Sequence, residues 1–140
     1  DGPLFKKIKM ISQKNKLSNL KLMGSLNHVI DHLYTTDIFL TCSLYEGLPL
    51  SVLEAMSIGL PIVASNVIGN IDTIEHSVSG FLYDLHDING AAKFIKLLSE
   101  DYKIRTEMGK QAFKRQRNLF SLRKMTLSYE KIYKDTYEEQ

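Results

Sequence analysis

Two glutamates eight positions apart, Glu46 and Glu54, stand on either side of a turn in LYEGLPLSVLEAMSIGLPIVAS, residues 44–65. Carboxylate oxygens accept strongly from hydroxyl groups, so a pair of acids suits a ligand with paired hydroxyls. The turn between them offers something different. Pro49 suits the first position of a helix, because its missing N–H would be unpaired there anyway. The residue before it, Leu48, cannot cap. The pattern therefore predicts a helix whose N–H groups on Leu50, Ser51 and Val52 lack intrahelical partners. Such a start, with the positive end of the helix dipole, binds anions. Gly47 lets a ligand approach the backbone closely. An anion on those amides, flanked by acids that accept from hydroxyls, describes a sugar nucleotide. A plainer reading stays open on the residues alone, in which Glu46 caps the helix locally and Glu54 is a surface acid.

The surrounding elements have to bring these residues together. LFKKIKMISQKNK places Leu4, Ile8 and Ile11 at helical spacing, and NLKLMG reads as a short strand ending at Gly24. HVIDHLYTT returns to helix, with Val29, Ile30 and Leu33 on one face. DIFLTCS is a nearly continuous apolar run, as in a strand covered on both sides. Leu50, Val52, Leu53 and Met56 support a helix that ends at Gly59. PIVAS and GFLY read as strands around a short NIDTIE helix. Two helices in succession follow, and Leu122, Met125, Tyr129, Ile132 and Tyr133 mark an amphipathic C-terminal one. Strands alternating with helices predict βαβ units in a doubly wound parallel sheet, whose ligands bind beyond the carboxyl ends of the strands. Glu46 follows the DIFLTCS strand by a few residues and belongs to that end.

Composition narrows the classes. The chain has 140 residues, 44% hydrophobic and 24% charged, one domain's worth of an ordinary globular protein. No run of 18 apolar residues occurs, so a membrane-spanning segment is not expected. The opening Asp1-Gly2-Pro3 reads as a turn and predicts a piece of something longer. A single cysteine, Cys42, forbids an internal disulfide and fits a reducing, cytoplasmic compartment; at the end of an apolar run it reads as a small buried thiol. A net charge of +2 is too small to argue for nucleic acid. Basic clusters at Lys6, Lys7 and Lys9 and from Lys110 to Lys124 read as solvated helix faces, with contact to an anionic membrane surface as the sharper alternative. His28 and His32 are four apart on one helix face, which is metal-ligand spacing. Asp31, beside the second of them, matches the place where inverted zinc-protease strings carry a Glu, but it is an Asp and no third ligand is evident, so no metal is expected. His76 and His86 read as loop residues. The tyrosines, at helical spacing, read as core.

Two stretches carry a resemblance. YEGLPLSVLEAMSIGLPIVAS, followed by IGNIDTIEHSVSGFLY, resembles the carboxyl-terminal domain of the retaining GT-B glycosyltransferases of family 4, also called group 1. The resemblance runs from DGPL at the start to LSYEKIY near the end. It implies the C-terminal half of a GT-B fold, Rossmann-like and lacking its first βα units: residues 1–140 as a partial nucleotide-sugar-binding domain, with C-terminal helices over 102–137. It further implies that Glu46 contacts the donor sugar's hydroxyls and Glu54 the ribose. The backbone of Gly47, Leu48, Pro49, Leu50 and Ser51 would face the sugar and diphosphate, and Gly24, Ser25 and Leu26 would border the nucleobase. No metal or other cofactor is implied. The acceptor, a glycan or a lipid-linked sugar, would be held by an amino-terminal domain, and the diphosphate-neutralising Arg and Lys would precede residue 1. On this reading the fragment alone is inactive, and the parent works in the cytoplasm or at the membrane's inner face, in polysaccharide or envelope glycan assembly. The sequence departs from the family where Gly69-Asn70 and Asp72 replace a more usual second glycine and glutamate. A sugar-nucleotide epimerase of the same architecture and a non-catalytic nucleotide-binding module remain the alternatives. Without its upstream strands, the DIFLTCS strand is expected to present an open edge, closed by NLKLMG or by a second chain.

Overall fold

The apolar periods of the sequence become seven helices and three strands in a computed structural model that describes residues 2–138. The chain divides into two compact units, residues 1–32 and 33–140.

In the first unit, α1 (Phe5–Lys14) forms as the spacing predicts, and none of its residues is buried. NLKLMG, by contrast, is not a strand. A strand is made by ladder hydrogen bonds to a neighbour, and this stretch has none among the described residues. It runs instead as irregular chain between Lys16 and Gly24, both with positive φ (52° and 69°). The short helix α2 (Val29–Leu33) spans the end of this unit and the start of the next.

The second unit is built on a parallel three-stranded sheet in the order β1-β2-β3: β1 (Phe39–Thr41), β2 (Ile62–Ser65) and β3 (Gly80–Tyr83). Between and after the strands come α3 (Leu50–Ser57), α4 (Asn70–Thr73), α5 (Ile88–Glu100), α6 (Tyr102–Leu119) and α7 (Leu122–Glu138). β2 is buried at every position because it has a strand on each side and helices on both faces. Ile62 and Ala64 pack against Val52, Leu53, Ala55 and Met56 of α3. Val63 meets Phe81, Tyr83 and Leu98 of α5 on the other side. α6 serves both layers, giving Ala112 to the first and Met108 to the second. This two-faced covering is the doubly wound arrangement.

Three expectations are corrected, and two hold. β1 is an edge strand and is not covered on both sides; Leu40 is 48% exposed. Cys42 lies past the end of that strand and is exposed. Of the tyrosines only Tyr83 is core; Tyr34, Tyr45, Tyr102, Tyr129, Tyr133 and Tyr137 are exposed. α7 carries the predicted apolar stripe, but nothing along it is buried through Tyr137. Gly59 does end α3 as expected, at φ +81° just past its C-cap residue Ile58.

Candidate functional site

The loop from Cys42 to Pro49 leaves the carboxyl end of β1 and turns into α3, so the glutamate region sits at the end of the sheet where α/β folds bind ligands. α3 begins one residue later than its proline pattern suggests. Pro49 is the N-cap (φ −76°, ψ 87°), and its carbonyl accepts from Leu53 N at 3.1 Å. No side chain caps the helix. The N–H groups of Leu50, Ser51 and Val52 are therefore the uncapped first-turn donors. Two other helices of this unit show the contrast. Asp87 accepts from Gly90 N at the start of α5, and Asp101 accepts from Lys103 N and Ile104 N at the start of α6.

Glu46 does not cap α3. Its Oε1 accepts from Ser43 Oγ at 2.7 Å, which removes the local-cap reading. The loop is tied down from several sides. Thr41 Oγ1 and Ser43 Oγ are 3.1 Å apart, and the Thr41 carbonyl accepts from Tyr83 OH at 3.1 Å. The Ser43 carbonyl accepts from Ser65 Oγ at 2.6 Å, and the Ser65 carbonyl from Asn70 Nδ2 at 2.9 Å. Ser65 and Asn70 are fully buried, and Asn70 Oδ1 has no partner among the described residues. Gly69, at φ +86°, is pressed against this loop: a Cβ there would lie 2.6 Å from the Glu46 carbonyl oxygen and 2.7 Å from that of Gly47. A Cβ at Gly47 would meet nothing within 4 Å, so the loop is braced from below and open beside Gly47.

Glu54 lies in the second turn of α3, exposed and with no side-chain partner among the described residues. Leu48, Leu50 and Ser51 are exposed while Pro49 is buried. The structure thus groups Glu46, Gly47, Leu48, Pro49, Leu50, Ser51 and Glu54 on one loop–helix junction. Gly24, Ser25 and Leu26 belong to the other unit, in the irregular segment before α2. His28 and His32 are exposed, and among the described residues no three His, Cys, Asp or Glu side chains gather as a metal site. Two cavities along α6, of about 440 Å³ beside Gly59 and Arg105 and about 640 Å³ beside Val78 and Met108, have neither Glu46 nor Glu54 in their lining. The glutamate junction is a surface more than an enclosed hole.

Reading residue types along the chain missed Ser43, Ser65, the bracing role of Gly69 and the buried seat of Asn70. Ser43 had a usable signal, a hydroxyl three residues before an acid in a turn. Among titratable groups Tyr83 stands out: burial, and secondarily the Cys42 thiolate, raise its phenol above the usual 10.0.

Comparison with known proteins extends this geometry. The family described as glycosyl transferases group 1 matches residues 1–115. Over 137 residues, 96% of the chain, the sequence is 33% identical to the UDP-Gal:alpha-D-GlcNAc-diphosphoundecaprenol alpha-1,3-galactosyltransferase of Escherichia coli, of which it covers 35%. It is 33% identical over 90 residues to the N,N'-diacetylbacillosaminyl-diphospho-undecaprenol alpha-1,3-N-acetylgalactosaminyltransferase of Campylobacter jejuni, covering 64% of this chain and 24% of that one. Among solved structures it matches a TarM variant from S. aureus in complex with fondaparinux, alpha-GlcNAc-glycerol and UDP (26% identity, TM-score 0.88, 94% of this chain and 27% of that one). It also shares the fold of HepE from Anabaena in complex with UDP (21% identity, TM-score 0.87, 93% and 36%). The chain spans about a third of the length of the first curated relatives it matches.

Proposed function

The chain belongs to the group 1 glycosyl transferases, and from that premise we propose that it is the donor-binding part of a retaining glycosyltransferase that uses a uridine diphosphate sugar. The observation that carries the proposal is the uncapped start of α3 opening next to a carboxylate, Glu46, that the fold holds in place. In this reading the diphosphate lies on the N–H groups of Leu50, Ser51 and Val52, where the helix dipole favours negative charge. Glu54 accepts from the ribose hydroxyls and Glu46 from those of the sugar. Gly24, Ser25 and Leu26 border the base. Uridine is chosen because the relative from E. coli and both of the structures named above carry UDP in their names.

Catalysis would be positional and electrostatic: the site holds the sugar and stabilises the departing diphosphate without a metal ion. We take the acceptor to be a lipid-linked diphospho-sugar, since two relatives are named for diphosphoundecaprenol acceptors. On this reading the work is done at the inner face of a membrane, in envelope glycan assembly. Among the described residues no helix is long and apolar enough to cross one. The 140 residues alone would bind nucleotide weakly and transfer nothing.

The test uses the full-length protein, UDP, a panel of UDP-hexoses, and a polyprenyl-diphospho-N-acetylhexosamine as acceptor. Glu46→Gln should cut sugar transfer at least tenfold while leaving UDP affinity, measured by calorimetry, nearly intact. Equal loss of both would show that Glu46 is structural and would sink the assignment.

A further inference from the structure

Resting on that reading, we infer that Ser43 is a positioning residue that decides which oxygen of Glu46 meets the sugar. The Ser43 hydroxyl donates to Oε1 at 2.7 Å, within the range expected for a hydroxyl on a carboxylate. A serine hydroxyl has one proton. Once that proton lies on Glu46, the 3.1 Å contact with Thr41 Oγ1 has a single direction: Thr41 donates and Ser43 accepts. The result is a directed relay, Thr41 to Ser43 to Glu46, in which each bond polarises the next.

The relay is anchored at both ends. The Thr41 carbonyl is held by Tyr83 OH, and the Ser43 carbonyl by the buried Ser65 hydroxyl, whose own carbonyl is held by buried Asn70. The Glu46 side chain is thus fixed before any ligand arrives. Oε1 already accepts from the protein, and Oε2, with no partner among the described residues, is the freer oxygen to accept from the sugar. Ordering the carboxylate in advance removes a cost that binding or turnover would otherwise carry.

The test again uses the full-length protein, with UDP affinity by calorimetry and UDP release from UDP-glucose, UDP-galactose and their N-acetylated forms in the presence of a polyprenyl-diphospho-N-acetylhexosamine acceptor. Ser43→Ala should lower kcat about tenfold or more, the scale of a hydrogen bond to a charged group, with UDP affinity within about twofold of the parent. Ser43→Thr, which keeps the hydroxyl, should recover most of the rate. In a Glu46→Gln background Ser43→Ala should add almost nothing, because the two residues act as one unit. Additive losses, or a loss of UDP affinity alongside rate, would overturn the proposal and make Ser43 a structural residue. Full activity in Ser43→Ala, with Glu46→Gln impaired, would overturn it while leaving Glu46 in the site. Full activity in Glu46→Gln, or no UDP-hexose turned over, would remove the reading underneath. If Ser43→Ala does not fold, Thr41→Val carries the test: it deletes the donor behind Ser43 and should give a smaller loss with the same selectivity, and an unchanged kcat there would refute the relay.

Discussion

Replacing Gly69 by alanine strikes the brace under Glu46, and two terms of its cost can be separated. The first is conformational. Gly69 has φ +86° with ψ −50°, outside the left-handed helical well and near the strained γ-turn region, which costs an L residue about 1–3 kcal/mol. The second is contact. The new methyl would stand 2.6 Å from the Glu46 carbonyl oxygen and 2.7 Å from that of Gly47. Carbon–oxygen contacts settle at roughly 3.3–3.6 Å, so the loop would have to retreat by about 0.7 Å. Overpacking of this kind costs about 1–3 kcal/mol, giving a total of about 2–6 kcal/mol. Gly59→Ala is the natural control. Its φ is +81°, but a Cβ there finds its nearest neighbour at 3.7 Å, so only the conformational term applies. Denaturant unfolding of both variants in the full-length protein should give Gly69→Ala the lower midpoint, by about 1–3 kcal/mol at unchanged slope. The functional consequence follows from the direction of the push. A displacement approaching 1 Å at a reacting group costs up to about a hundredfold, so turnover of UDP-hexose should fall at least tenfold in folded Gly69→Ala and little in Gly59→Ala. Equal stabilities for the two variants, or full turnover in Gly69→Ala, would refute the argument that this glycine sets the position of Glu46.

Gly109→Ala tests the seam between α6 and the turn after α3: a Cβ there would collide with the Gly59 carbonyl oxygen. Thermal unfolding should show a net loss of about 2 kcal/mol, even though alanine in a helix normally gains about 0.5–1 kcal/mol over glycine. Glu54→Ala should weaken UDP binding by about 1.5–3 kcal/mol in calorimetry, the scale of hydrogen bonds to a charged group, with little change in melting temperature because the side chain is exposed and unpartnered among the described residues. Tyr83 supplies a pH test. Its folded phenol titrates above 10.0, so the folded state holds its proton more tightly than the unfolded one, and the contribution is complete below that pH and declines above it. Tyr83→Phe should melt less steeply with rising pH above 10.0 than the parent, and parallel curves would show that this phenol does not govern the decline.

Much of the fold is written in short-range signals. β2 could be read from PIVAS because a strand buried on both faces is apolar throughout, and the end of α3 from Gly59 because a left-handed residue there favours glycine. NLKLMG misled for the opposite reason: whether an apolar pair becomes a strand depends on a partner elsewhere, which no local pattern carries. The tyrosine spacing marked a helix face only on α7, where the face is not covered; Tyr34, Tyr45 and Tyr83 stand outside helices, and spacing alone says nothing of covering.

The site divides along the same line. The contiguous residues from Glu46 to Glu54 announce a turn and an uncapped helix by their types alone, whereas the groups that hold Glu46 come from three separate strand ends. Their meeting still follows from one long-range fact. β1 pairs with β2 in parallel, with Thr41 opposite Ala64. Parallel pairing sends both chains out of the sheet in the same direction, so Ser43 and Ser65 leave it side by side, two residues and one residue beyond the last pair. A hydroxyl on the second then reaches the carbonyl of the first, at 2.6 Å. The next pairing, Ser65 opposite Tyr83, brings the phenol to the same end, where it reaches the Thr41 carbonyl. Given the register, the bracing of Glu46 is a consequence of strand direction, and a one-residue slip of β1 against β2 would turn Ser43 to the other face and dissolve it.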